Sequence, residues 1–236
     1  MRPETTHTAA APSRPAAIAL VASTLLSMIA VAAHPTVSGG GGASQILVDL
    51  VKGRAADEHV HAAVILLMGG YLFGFIGFAA RIGLHRTPVL LGLIAYGIGT
   101  LGMVGAALND GFITPALAAA FVGSPPEKAD VALAVLMYGW IAIQYLSKLG
   151  FIGMSLGMLG VSLPLLRERG FPRIVGCTGL VSGVLPVAFL ILAKADLEPP
   201  LLIAILAVQS IWNLAAAGLL IHGRADIASA GLAQPA

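Results

Sequence analysis

Residues able to do chemistry gather at one place in the chain. Asp57, Glu58, His59 and His61 stand directly before a run without charge that lasts to Arg81. On a helix, Asp57 and His61 lie four apart and share a face. A carboxylate and an imidazole together are a pair that divalent metals use. His59 is only two residues from His61 and points elsewhere. A stable zinc site takes three or four protein ligands, so other segments must supply the remainder. Asp110, just past the third apolar block, is the best candidate. The competing reading is that DEHVH is the wet start of a membrane helix, where acids favour the positive end of the helix dipole. One usable pair is less than a ligand set. The spacing therefore predicts a helix start with no tightly bound metal, and it leaves Asp57, His61 and Asp110 as metal candidates if the loops bring them together. That convergence would favour an enzyme.

No cofactor is expected. A membrane b-type haem needs histidines inside its helices, whereas His34, His59, His61, His85 and His222 all fall near the ends of apolar blocks. Deep polar residues form a second candidate group. Gln209 and Asn213 are four apart in the last block, with Ser155 and Ser182 at similar depth and Ser23 and Ser27 in the first block. They would line a cavity for a polar ligand or hydrogen-bond between helices, at about 0.6 kcal/mol per contact. Lys148 interrupts an apolar block. About 20 residues span the hydrocarbon core, and that count from Arg167 puts Lys148 at the interface, free to snorkel beside Tyr138, Trp140 and Tyr145.

The elements that must position these residues are membrane helices. The chain of 236 residues is 58% hydrophobic and 10% charged, with a mean hydropathy of +0.92, against about 25% charged residues in soluble domains. Six apolar blocks occupy 15–33, 60–80, 88–108, 133–166, 174–193 and 199–222. The fold class is an all-α polytopic transmembrane bundle of six helices. It becomes five if Ala30-Val31-Ala32 closes a cleaved signal. The lipid bilayer is the expected partner. A net charge of +2 on scattered basic residues excludes a nucleic-acid stripe, and the single Cys177 excludes an internal disulfide. Alternate connections carry Arg81, Arg86, Arg167, Arg169, Arg173 and Arg224, which marks them as cytoplasmic. Both termini then lie in the cytoplasm, with the chain in the plasma membrane.

The organisation expected is a disordered segment 1–14, a bundle 15–224 with outer excursions at 34–59 and 109–132, and a tail 225–236. In the first excursion, GGGGAS (39–44) reads as a linker. The repeat of Ile46, Leu47, Leu50 and Val51 reads as a short helix on the membrane surface. In the second, Asn109, Gly111 and Pro115 end the third helix, and SPPE (124–127) caps the next. A helix from there to Leu166 would be about 60 Å long, so it projects outward or breaks near Gly139 or Gly150.

Glycines recur at helical spacing: Gly70, Gly74 and Gly77; Gly150, Gly153, Gly157 and Gly160; Gly176, Gly179 and Gly183. Such faces admit a neighbouring backbone, within the bundle or in a homodimer or larger membrane complex. Pro88-x3-Gly92-x6-Gly99 matches Pro172-x3-Gly176-x6-Gly183, the mark of a hairpin repeat. The phrase LPLLRERGFPRIVGCTGL (163–180) is similar to helix–loop–helix phrases in bacterial multi-pass membrane families of unknown function. That resemblance implies a six-helix membrane fold and no particular activity. The residues leave three roles open: a structural or small-molecule-binding membrane protein, a transporter of a neutral or lipid-like solute, or a membrane enzyme with an outward-facing Asp/His site.

Overall fold

The computed structural model describes residues 14–34, 41–192 and 196–222. The expected disordered start (up to residue 13), the tail 225–236 and part of the glycine linker lie outside the described residues. In chain order, the helices are α1 (Arg14–Ala32), α2 (Ala43–Ile82), α3 (Thr87–Leu108), α4 (Thr114–Phe121), α5 (Pro126–Ser162), α6 (Phe171–Leu192) and α7 (Pro199–His222). A π-turn, Asn109–Ile113, joins α3 to α4 in one rod, and a 3₁₀ turn, Leu163–Arg167, prolongs α5. Among the described residues, six rods are long and apolar enough to cross a membrane.

The rods differ in length. Helices α1, α6 and α7 have 19, 22 and 24 residues, or about 30–35 Å, one bilayer core. The α2 rod has 40 residues, the α3–α4 rod 35, and α5 with its 3₁₀ turn 42. All six begin or end together at the arginine-rich connections. The three long rods therefore outrun the others at the opposite end, where α1 finishes at Ala32. There they form an extension with its own core: Ala43 and Leu47 of α2, Ala118 of α4, and Ala129, Ala132 and Leu136 of α5.

Three expectations change as a result. The segment after the glycine linker does not lie on the membrane surface. It continues into α2, because burying Leu47 against α4 and α5 orders it as part of the rod. The third helix does not stop at Asn109, Gly111 and Pro115, since the π-turn absorbs that sequence and α4 continues. The next helix follows the first of its two alternatives, projecting outward without a break at Gly139 or Gly150, but its expected cap changes. It starts at Pro126 after Pro125, with no side-chain cap hydrogen bond, so Ser124 is not the cap.

Inside the bundle the glycine faces are consumed by close backbone contact. A Cβ on Gly99 would lie 2.5 Å from the Met154 nitrogen, and one on Gly153 would lie 2.7 Å from Gly99 Cα. Gly74 meets Leu20 and Ala16 of α1, and Gly176 meets Leu165 and Leu166. The equivalent glycines of the internal match, Gly92 and Gly176, both face the end of the α5 rod. The main core gathers Leu20, Phe75, Phe78, Tyr96, Met158 and Trp212. Phe75 stacks on Tyr96 at 3.8 Å, and the buried Trp212 indole donates to Ser162 Oγ at 3.0 Å.

Candidate functional site

Where α1 ends against the two long rods, two imidazoles and two carboxylates of a type that can bind metals meet. His34 follows α1, Asp57 and His61 project from α2, and Asp110 comes from the π-turn. His61 Nε2 is 3.3 Å from Asp110 Oδ2. His34 Nε2 is 3.8 Å from Asp110 Oδ2 and 3.9 Å from Asp57 Oδ1. His34, Asp57 and His61 each offer a donor atom within 4.8 Å of the others. The two imidazoles meet edge to face, with centroids 5.0 Å apart.

The local sequence explains the arrangement. Asp57 and His61 are one helical turn apart, so their side chains share a face, with His61 Nδ1 3.0 Å from Asp57 Oδ1. The same Nδ1 donates to the Asp57 carbonyl at 2.9 Å. That bond fixes the tautomer and turns Nε2 toward Asp110 and His34. Metal-binding histidines are commonly oriented by such a second hydrogen bond. A π-turn adds one residue to a helical turn and often marks a functional site. Here it aims Asp110 across to α2, while Asn109 Nδ2 donates to the Gly139 carbonyl of α5 at 3.4 Å. Gly111, buried in the same turn, lets the rods approach. Any Cβ there would collide with His61 Cβ and Cγ and lie 2.7 Å from Nδ1.

Electrostatics favour a cation. Asp57 Oδ1 is buried and its close neighbours are the two imidazoles, His61 Nδ1 at 3.0 Å and His34 Nε2 at 3.9 Å. Removing a carboxylate from water costs several kcal/mol unless a positive charge or hydrogen bonds compensate. The cluster is closed at the back and open at the front: the His61 side chain is 6% exposed and that of His34 41%.

The candidates Asp57, His61 and Asp110 are thus brought together. The accompanying helix-start reading is overturned: Asp57 stands fourteen residues into α2, far beyond the first turn where the helix dipole acts. His59 is exposed and turned away. His34 was not among the metal candidates read from the sequence. Its signal lay in depth, since one bilayer-length helix separates it from the basic end, as about twenty residues separate His61.

Three of the deep polar residues, Ser155, Ser182 and Gln209, hydrogen-bond between helices. Gln209 Nε2 donates to Ser155 Oγ at 2.9 Å, and Ser182 Oγ donates to the Val208 carbonyl at 2.9 Å. Asn213 Oδ1 is buried without a partner. Lys148 holds Asp196 at 2.9 Å, nine residues along α5 from Gly139, the residue that the π-turn touches.

Fold and site define an all-α, multi-pass membrane protein with a cluster of two histidines and two aspartates where its long rods leave the shorter ones. Comparison of the chain with protein-family models, with curated proteins and with solved structures gives no match in any of the three.

Proposed function

We propose that this membrane protein binds a divalent transition ion, zinc above all, through His34, Asp57, His61 and Asp110. The convergence of these four donors from three chain segments carries the reading. Ligands of a tetrahedral zinc at about 2.0–2.1 Å sit about 3.3 Å from one another. The separations between imidazole Nε2 atoms and carboxylate oxygens, 3.3–3.9 Å, are close to that and need only a contraction of a few tenths of an ångström around the ion. Two imidazole nitrogens and two carboxylate oxygens suit zinc, manganese or ferrous iron better than calcium, which takes six to eight oxygens. The open side by His34 leaves room for a water ligand, whose proton zinc would labilise. Of the roles left open by the sequence, this one favours a membrane protein with an outward-facing Asp/His site over a carrier of neutral solutes. With the arginine-rich connections in the cytoplasm, the site faces the outer surface of the plasma membrane.

The test is elemental analysis of protein purified in mild detergent without chelator, then stripped and titrated with zinc. One equivalent per chain is expected. It should be lost in His34→Ala and in His61→Ala and retained in His59→Ala. Folded protein that takes up no ion from micromolar zinc would overturn the reading.

A further inference from the structure

The extension beyond the short helices has two unlike sides. Along α2 its outward residues include Gln45, Lys52, Arg54 and Glu58, as expected of a surface in water. Along α5, past the charged first turn with Glu127, Lys128 and Asp130, the large exposed side chains are apolar. Val131, Val135, Tyr138, Tyr145 and Leu149 are exposed, with Tyr138 at 75%, Tyr145 at 70% and Val131 at 61%. The opposite face of α5, Ala129, Ala132 and Leu136, is already buried in the extension's core. This helix therefore has two apolar faces and only one covered.

The uncovered face has a regular spacing. Positions 131, 135, 138, 142, 145 and 149 alternate steps of four and three, the 3.5-residue repeat of a coiled-coil seam. Val135, Ala142 and Leu149 take the a positions, and Val131, Tyr138 and Tyr145 the d positions. We propose that α5 pairs with α5 of a second copy of this chain as a parallel coiled coil along this seam, around a two-fold axis parallel to the membrane normal.

A second copy fits better than other occupants. The seam runs about 27 Å from Leu149 to Val131. It starts at the level of the Lys148–Asp196 pair and rises away from the membrane, so lipid cannot cover its far half. The occupant must carry a matching apolar stripe that rises from the same membrane side at the same height. Two copies inserted alike meet that condition automatically, with their α5 helices parallel and in register. The area is also sufficient. Large side chains present about 150–250 Å² each, so the exposed fractions of the seam with its neighbour Ile141 come to roughly 700 Å² per chain, close to the roughly 800 Å² that one partner contributes to a standard interface.

The experiment is disulfide trapping in native membranes, in a Cys177→Ser background that removes the natural thiol. Val135→Cys and Tyr138→Cys should each give a covalent homodimer, and Lys52→Cys on the charged face should not. Native mass spectrometry of the unmodified protein in mild detergent should show a dimer, and Tyr138→Glu should show a monomer that still inserts. A monomeric unmodified protein without cross-links at 135 or 138 would overturn the proposal. So would cross-links at those positions to a different polypeptide.

Discussion

Replacing Gly111 by alanine tests the site without removing any of its donors. The added methyl would overlap His61 Cβ and Cγ and sit 2.7 Å from Nδ1. Non-bonded carbons rest about 3.5–4.0 Å apart. The π-turn and α2 must therefore part by at least about 1 Å. His61 Nε2 and Asp110 Oδ2, now 3.3 Å apart, sit on those two segments and separate with them. Preorganised sites hold their groups within about 0.5 Å, so the shift is about twice the tolerance. A fall in zinc affinity of about 10–100-fold is expected, as when a partner that orients a ligand is lost. The overpacking should also cost about 1–3 kcal/mol of stability. The assay is competition of the stripped protein with a zinc-sensitive dye, alongside thermal unfolding in detergent. Gly97→Ala serves as control, because a Cβ there meets nothing within 4 Å. A folded Gly111→Ala protein with unchanged zinc affinity would refute the argument that this glycine sets the approach of the two segments.

Zinc uptake should weaken as pH falls, because both imidazoles must be neutral to ligate; equal affinity at pH 5.5 and 7.5 would count against His34 and His61 as ligands. Gly153→Leu and Gly157→Leu should each lower the unfolding temperature, since Gly153 faces Gly99 Cα and Gly157 faces the Gly92 carbonyl; an unchanged midpoint would show that α3 and α5 can part freely. Reporters fused after residue 86 and at the C-terminus should behave as cytoplasmic and one inserted near residue 125 as external; the reverse pattern would turn the site to the cytoplasm.

The sequence by itself determined the class of the molecule. Blocks of about twenty apolar residues can satisfy their backbone only as helices in a bilayer, so the number of rods and their ends at Arg81, Arg86, Arg167 and Arg173 could be read directly. The Asp57–His61 pair was legible too, because the geometry of one helical turn is local. Residues 43–58 suggested a short surface helix and the glycine and proline of 109–115 a helix end, because local signals cannot report that α2, α4 and α5 bury Leu47, Ala118 and Leu136 against one another. Tertiary packing alone decided that these segments continue as rods and that the junction is a π-turn aiming Asp110 inward. It also decided that His34, at the end of a different helix, arrives at the same depth. A ligand set drawn from three segments is a property of how rods of unequal length align, and that alignment is fixed by glycine faces such as Gly99 against Gly153, whose partners cannot be read from their own spacing.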